Sequence, residues 1–323
     1  MENQLIEIAL RPKNWDDYVG QEKTKENLKL IIKAAKQRKE PCDHLLFHGQ
    51  AGLGKTTLAY IISREMNAKI RTTSGPALEK TGDMAAILTN IEPYEILFID
   101  EVHRMNRAVE EVLYPALESR KLHLVVGKGP SAKTLSIDLP PFVVIAATTK
   151  TSLLSSPFRS RFGATFKLDY YIQKDIEKII KRSAGILETS ITNEAIEWLA
   201  SASRFTPRTA NRLLKRCRDW AQVHHNKKID KDAVLKTLEM MEIDKIGLEE
   251  TDRQLLKIII DNFNGGPVGI QSLAAALNEE RGTIEDVYEP FLMQIGFLKR
   301  TPNGRVATRE AYKHLKHEDA ELI

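Results

Sequence analysis

Two short segments of the chain have residue types and a spacing suited to phosphate chemistry. The first, Gly-Gln-Ala-Gly-Leu-Gly-Lys-Thr-Thr at 49–57, fits the phosphate-loop pattern G-x-x-x-x-G-K-[ST]. The second is an apolar run at 96–99 that ends in Asp100 and Glu101, 45 residues after Lys55. Together they predict a site that binds and hydrolyses a nucleoside triphosphate.

The residue types of the first segment suit a highly charged anion. Glycines such as Gly52 and Gly54 let backbone N–H groups turn inward towards phosphate oxygens. A helix that begins near Lys55 adds the positive end of its dipole. We expect Lys55 to reach the β- and γ-phosphates and the Thr56 hydroxyl to bind Mg²⁺.

The second segment supplies the carboxylates. Asp100 is expected to hold Mg²⁺ through water, and Glu101 to polarise the attacking water. The alternative interpretations are a glycine-rich turn and a solvated strand end. A strand before the loop (45–48), a helix after it (57–62) and the second acidic strand all disfavour them. A site that only binds nucleotide would not need Glu101.

Composition narrows the class of protein. The 323 residues, 42% of them hydrophobic, are enough for two or three domains with real cores. A net charge of +4 is too mild to indicate nucleic-acid binding by itself. Cys42 and Cys217 are isolated, which indicates small buried side chains in a reducing compartment rather than disulfides or zinc. With neither a signal peptide nor a membrane span in evidence, we expect a cytoplasmic protein.

Residues 1–168 alternate strands and helices, which predicts an α/β domain. The strand candidates are 45–48, 96–99 and 142–147, and Asn106 is expected to cap a helix that ends near Ser119. Residues 121–137 predict a β-hairpin with its turn at 127–130. Such a hairpin could contact a partner or DNA, or could be a structural ribbon, and both interpretations stay open.

The rest of the chain predicts two smaller domains. Residues 169–243 indicate an all-α domain in which Thr192 and Asp230 cap helices and Pro207 lies in a first turn. In residues 244–323 we expect helices at 252–263, 272–277 and 284–295, the last capped by Thr283. A hairpin around the Thr-Pro-Asn-Gly turn at 301–304 follows. Three helices and a hairpin predict a winged helix.

Further polar residues are candidates for function. Thr148, after the strand at 142–147, could report the γ-phosphate, or could simply end the strand. Arg159 and Arg161 could stabilise charge on a neighbouring subunit's nucleotide, or could form surface salt bridges. Arg300 and Arg305 flank the wing turn and could grip DNA phosphates.

The order of these motifs resembles the AAA+ ATPases. It runs GQAGLGKTT, ILFIDEVHR, AATT, SSPFRSRFG, TPRTANRLLKR and then a winged helix. More closely, the chain is similar to the RuvB family of Holliday-junction branch-migration motors, a resemblance that covers nearly the whole chain. The segments that carry it are LRPKNWDDYVGQ at 10–21, RTTSGPALEKTGDMAAILTNIEP at 71–93, EEVLYPALE at 110–118, GGPVGIQSLAAALNEERGTIEDVYEP at 265–290 and GFLKRTPNGRVAT at 296–308.

The resemblance implies a role for each matching residue. The adenine would be framed by Leu10, Arg11, Tyr18 and Val19, and the phosphates and Mg²⁺ held by Gly52, Gly54, Lys55, Thr56, Thr57 and Asp100. Catalysis would rest on Lys55, Asp100, Glu101, Thr148 as the first sensor, and Arg161 as the arginine finger acting in trans, with Arg159 nearby. Tyr171 and Arg208 would contact nucleotide from the lid, and Arg300 and Arg305 would contact DNA.

The resemblance also implies the assembly. A homo-hexamer would encircle duplex DNA at four-way junctions and use ATP with Mg²⁺. The hairpin at 121–137 would bind a RuvA-type junction-binding protein, and a RuvC-type resolvase is a further possible partner. The sequence departs from the family pattern at three places: Gln50-Ala51 stands where the family usually has two prolines, Phe205 where it has a glycine and Asn303 where it commonly has a basic residue. These departures bear on the loop's rigidity, the lid angle and the strength of DNA binding.

Two other functions fit parts of the pattern. A clamp-loader subunit would share the ATPase core, and a nucleotide-switched DNA-binding regulator would share the winged helix. Glu101 and a trans-acting Arg161 argue against the regulator, since that protein would need slow hydrolysis or none.

Overall fold

The computed structural model describes residues 2–126, 133–224 and 228–321. The chain divides into two compact units, Met1–Asp175 and Ile176–Ile323.

The first unit is built on a five-stranded parallel sheet with strand order β2-β3-β6-β1-β7. A separate antiparallel hairpin is formed by β4 and β5. The strands are β1 (Leu45–His48), β2 (Ile70–Ser74), β3 (Ile96–Asp100), β4 (Lys121–Val126), β5 (Lys133–Asp138), β6 (Val143–Thr148) and β7 (Ala164–Lys167). The helices are α1 (Glu2–Leu10), α2 (Glu22–Arg38), α3 (Lys55–Glu65), α4 (Thr81–Thr89), α5 (Arg107–Ser119), α6 (Ser156–Arg159) and α7 (Gln173–Ile186), which continues into the second unit.

The three predicted strands are confirmed, and β2 and β7 lie at the two edges of the same sheet. Every residue of β6 is buried, and the first three of β1 and first four of β3 are buried too. Both faces of a parallel sheet are normally covered, which explains why these strands are continuous apolar runs. In the parallel register His48 lies beside Thr148. The carboxyl ends of β1, β3 and β6 therefore share one edge of the sheet.

Helix α5 begins where the sequence predicted. The Asn106 side chain accepts a hydrogen bond from the backbone N–H of Ala108 at 2.9 Å, which satisfies a donor of the first turn. Val109, Leu113 and Ala116 bury one face of the helix in the core cluster of the first unit. The hairpin β4–β5 follows at once, and its predicted turn at 127–130 lies outside the described residues.

The second unit contains helices and a small hairpin. Its elements are α8 (Asn193–Ser201), α9 (Pro207–Val223), α10 (Lys231–Met240), α11 (Glu250–Lys257), α12 (Ile270–Leu277), α13 (Arg281–Thr283), α14 (Glu289–Gln294), α15 (Arg309–Glu321), β8 (Leu298–Thr301) and β9 (Gly304–Ala307). Two π-helical turns, Ile258–Asn262 and Ile284–Tyr288, follow α11 and α13 directly.

Most of the predicted helix starts in this unit are confirmed, and one is wrong. Thr192 and Asp230 cap α8 and α10 through their side chains, and Pro207 opens α9. Thr283, however, has helical backbone angles (φ −61°, ψ −44°) and caps nothing. The helix starts at Arg281 instead, because Glu280 (φ −70°, ψ 140°) is the extended residue before it.

The winged helix is confirmed. Apolar side chains of α11, α12, α14, the wing strand β8 and α15 share one core that includes Leu255, Leu273, Phe291, Leu298 and Leu315. Strands β8 and β9 pair antiparallel, with Arg300 opposite Arg305 and Thr301 opposite Gly304.

The two cysteines are buried free thiols, and burial raises the pKa of Cys42 to about 11 and of Cys217 to about 12. Of the helices in the described ranges, none combines the length and apolarity needed to span a membrane.

Replacing Asn106 with Ala should destabilise the first unit by about 1 kcal/mol, because the first turn of α5 loses its capping acceptor. The matched control is Arg107→Ala at the next position, where the side chain is exposed and its contact is an ion pair with Glu111. The control should stay within about 0.5 kcal/mol of the parent. Denaturant unfolding measures both, and equal effects would contradict the capping role.

Candidate nucleotide-binding site

The loop between β1 and α3 has the backbone that a phosphate loop needs. Gly49, Gly52 and Gly54 have φ values of 143°, 82° and 99°, which side chains strongly disfavour. A Cβ on Gly54 would lie 2.9 Å from the hydroxyl oxygen of Tyr18, so space as well as backbone angle requires glycine there. The loop leads directly into the N-terminus of α3, an eleven-residue helix that begins at Lys55.

Lys55 is buried, with 7% of its surface exposed. Its Nζ donates hydrogen bonds to the carbonyl oxygens of Gly49 (2.7 Å) and Gln50 (2.8 Å). These bonds hold the ammonium against the loop, where the cation is available to an anion that the loop binds.

Thr56 and Asp100 meet across the gap between α3 and β3. The Thr56 hydroxyl donates to Asp100 Oδ2 at 3.3 Å, and Asp100 Oδ1 accepts from the Glu101 N–H at 2.9 Å. A hydroxyl and a carboxylate placed together beside a phosphate loop are oxygen ligands of the kind that Mg²⁺ takes, with phosphate and water completing its shell. The residues present therefore fit a nucleotide with its magnesium ion.

Glu101 has left-handed backbone angles (φ 47°, ψ 42°), which are uncommon for a residue other than glycine. Such strain costs about 1–3 kcal/mol and tends to occur at functional sites. The side chain is exposed and forms an ion pair with Arg104 at 3.3 Å. The carboxylate is thus accessible at the edge where Asp100 ends its strand.

Thr148 is buried at the end of β6. Its hydroxyl oxygen lies 3.1 Å from Nδ1 of His103 and accepts from the Lys150 N–H at 2.9 Å, while the Gly49 N–H donates to its carbonyl oxygen at 3.2 Å. The sequence alone did not place His103 beside Thr148. The signal available was its position three residues after Asp100, at the same edge of the sheet.

Two buried tyrosines face the loop. The Tyr171 hydroxyl lies 3.3 Å from both the Tyr18 hydroxyl and the carbonyl oxygen of Leu53. Burial raises the pKa of Tyr18 well above its usual value and that of Tyr171 to about 12, so both stay neutral hydrogen-bond donors at physiological pH. Leu10 is buried as well, and Arg11 lies over the Tyr60 ring at 5.6 Å.

The other predicted nucleotide ligands are more scattered. Val19 and Thr57 are half-buried in the first unit, the latter within α3. Arg159 is exposed at the end of α6. Arg208 is exposed at the second residue of α9, in the second unit.

Arg161 lies on the segment after α6, held within its own chain. Its guanidinium carbon is 4.2 Å from the centroid of the Tyr114 ring. One nitrogen donates to the Pro157 carbonyl oxygen at 2.5 Å, and another forms an ion pair with Glu118 at 3.0 Å. The side chain keeps 18% of its surface exposed.

The two wing arginines differ in exposure. Arg300 is 47% exposed and Arg305 is 10% exposed, and both pair with Glu285 and Glu289. Arg305 Nε donates to Glu289 at 2.7 Å, and Glu289 is itself 2% exposed. The geometry therefore makes Arg305 a buried brace between wing and helix and leaves Arg300 the more accessible cation. Sequence reasoning did not single out the two glutamates.

The structure places the three positions at which the sequence departs from the family pattern. Gln50 presents its carbonyl oxygen to Lys55. Phe205 has a left-handed backbone (φ 56°) and lies 6.4 Å from the Phe291 ring, a contact that a glycine would lack. Asn303 is exposed in the turn between the wing strands.

The parallel sheet, its phosphate loop, the acidic strand end and the polar end of β6, followed by a helical domain, define an AAA+ nucleotide-binding ATPase. Family models match three consecutive parts of the chain. They are the Holliday junction DNA helicase RuvB P-loop domain (10–168), the RuvB AAA lid domain (171–244) and the RuvB C-terminal winged helix domain (245–316). The chain belongs to the RuvB family.

Solved structures agree with this assignment. The RuvB Holliday junction branch migration motor of Thermotoga maritima is 51% identical, with a TM-score of 0.88 over 95% of this chain and 98% of that one. A single-substitution variant of the same protein is 50% identical, with the same TM-score and coverage. Family membership decides against a clamp-loader subunit and a nucleotide-switched regulator.

Removing Arg305 should destabilise the winged helix by about 3 kcal/mol, since it takes away the one cation of Glu289 that is itself buried, where water does not replace it. Arg300→Ala is the matched control; its side chain is half exposed, and the loss should be about 1 kcal/mol or less. Hydrogen–deuterium exchange of β8 and β9, together with thermal unfolding of the whole chain, measures the difference. Equal protection in the two variants would rule out the brace.

Proposed function

We propose that the chain is an ATP-dependent motor that drives branch migration of Holliday junctions in homologous recombination and DNA repair. The observation that carries the proposal is that Lys55, Thr56, Asp100 and Thr148 lie at one edge of the sheet. The chain also matches RuvB family models over residues 10–168, 171–244 and 245–316.

The residues of the site divide the work of hydrolysis. The loop amides and Lys55 bind and orient the triphosphate, Leu10, Arg11, Tyr18 and Val19 frame the adenine, and Tyr171 contacts the nucleotide. Magnesium, held by Thr56 and Asp100, would supply neutralising charge to the phosphates. Glu101 orients the attacking water and takes up its proton, and Thr148 contacts the γ-phosphate.

Charge that develops on the transferred phosphoryl group needs a further cation, and Arg161 of a neighbouring subunit supplies it. Arginine suits this task because its planar guanidinium donates several hydrogen bonds at once. A site completed in trans requires a neighbouring subunit, and we propose that the subunits form a homo-hexamer around duplex DNA. Arg159 lies near enough in sequence to act beside Arg161, and Arg208 would approach the nucleotide from the lid.

The hairpin β4–β5 is proposed as the docking site for a RuvA-type junction-binding protein. Every β5 residue except Ile137 is exposed, and Leu135 exposes 51% of its surface, an apolar side chain offered to a partner. A RuvC-type resolvase acting on the same junction stays a prediction, as does the cytoplasmic location.

The test of the proposed function is ATP-dependent dissociation of a synthetic four-way junction, with and without a RuvA-type partner. The parent should convert the junction to duplex arms faster with the partner. Lys55→Ala should lose hydrolysis through loss of phosphate binding, and Arg161→Ala should lower turnover by about 10³-fold or more, both with an unchanged fold. ATP hydrolysis without junction movement would contradict a branch-migration motor, and normal turnover of Arg161→Ala would contradict the trans site.

DNA contact by the wing has its own test. Arg300→Ala should weaken binding to duplexes of any sequence and reduce the slope of log K against log salt by about 1, because one phosphate contact is lost. Lys313→Ala, which removes an exposed cation paired with Glu310, is the control. Fluorescence anisotropy over a salt series measures both, and an unchanged slope for Arg300→Ala would exclude the contact.

A further inference from the structure

One face of α5 carries three polar side chains spaced four residues apart, Glu110, Tyr114 and Glu118. Residues with this spacing lie above one another on a helix. All three meet the segment 155–161, which contains Arg161. This face therefore connects a rigid, half-buried helix to the arginine proposed to act in trans.

The Tyr114 ring is the flat surface beneath the guanidinium of Arg161. The guanidinium carbon lies over the ring at 4.2 Å from its centroid, within the range of a cation–π contact. The Pro157 carbonyl oxygen and Glu118 contact the edge of the same group at 2.5 Å and 3.0 Å. The guanidinium is thus held by the ring and by one contact at each terminal nitrogen before any neighbouring subunit is present.

The ring itself is held firmly. Its hydroxyl donates to Glu110 at 2.6 Å and lies 3.0 Å from the Ser155 hydroxyl, which also bonds Glu110. Glu110 is buried, and Ser155 caps α6 by accepting from the Phe158 N–H at 3.2 Å. A Tyr114 side chain that rotated away would break this network and leave the buried carboxylate short of a donor.

We propose that Tyr114 is a positioning residue for Arg161, which it holds in the orientation that reaches the neighbouring subunit's nucleotide. This inference rests on the proposed trans role of Arg161. A long, flexible side chain acts on a transition state only when it is aimed, and the loss of its aim lowers kcat rather than substrate affinity. An aromatic ring with a fixed hydroxyl supplies that aim without adding a charge that would compete for the cation.

The experiment compares steady-state ATP hydrolysis, at saturating duplex DNA, for the parent, Tyr114→Leu, Tyr114→Phe, Arg161→Ala and the double variant Tyr114→Leu/Arg161→Ala. Tyr114→Leu should lower kcat by about tenfold and leave KM within about twofold. Tyr114→Phe keeps the ring and should recover most of the loss. The double variant should be no slower than Arg161→Ala alone, because the two residues act through one group.

Control variants separate a changed orientation of Arg161 from a defect in folding or assembly. Tyr94→Leu removes a different, half-exposed tyrosine, just before β3 at the amino end of the strand, and should keep the parental kcat. Thermal unfolding and gel filtration check fold and assembly. If Tyr114→Leu does not fold, Tyr114→Met tests the same loss of the ring with a side chain that packs more adaptably.

The possible results are distinct. Parental kcat in a folded Tyr114→Leu, with Arg161→Ala inactive, overturns the inference and leaves the proposed function intact. A double variant slower than Arg161→Ala also overturns it, since Tyr114 would then act independently. Parental turnover in Arg161→Ala removes the proposed trans site and the inference with it.

Discussion

The site depends on the parallel register of β1, β3 and β6. Because these strands run in one direction, the phosphate loop, the carboxylates of 100–101 and the Thr148 hydroxyl all emerge at the same edge of the sheet. A triphosphate needs many donors and cations within a few ångströms, and no single segment of this chain provides them all. The buried apolar strands fix those distances; reversing one strand would carry its polar end to the opposite edge.

Several strained or buried features of the molecule lie at or beside this edge. Glu101 adopts left-handed backbone angles, Gly54 leaves no room for a side chain beside Tyr18, and Lys55 is buried against loop carbonyl oxygens. Each of these arrangements is unfavourable by itself and is held by the packing around it. Charged groups are also paired elsewhere in the chain. In the winged helix Glu285 and Glu289 form ion pairs with the arginines of the wing, and in the first unit Glu118 forms an ion pair with Arg161.

These ion pairs neutralise the charge of two arginines when neither a neighbouring subunit nor DNA is bound. Arg161 and Arg300 are both cations for which we propose anionic targets outside their own subunit, and both are paired with a carboxylate of their own unit. Glu118 is 58% exposed, so its pair with Arg161 is screened by solvent and can give way to a more highly charged phosphate. Arg305 differs because it is itself buried against the buried Glu289, and exchange there would leave that carboxylate with only the half-exposed Arg300.

The sequence by itself determined the phosphate loop, the acidic strand, the order of three domains, the caps at Asn106, Thr192 and Asp230, and the family. These are local patterns, set by glycine backbone freedom, side-chain capping and hydrophobic period. Only the tertiary structure decided which cations are exposed, that His103 meets Thr148 and that Tyr114 lies under Arg161. It also showed that the helix predicted to be capped by Thr283 begins at Arg281. Such outcomes depend on contacts between residues far apart in the chain, such as Ser155 with Glu110, and a single sequence does not show which distant side chains packing brings together.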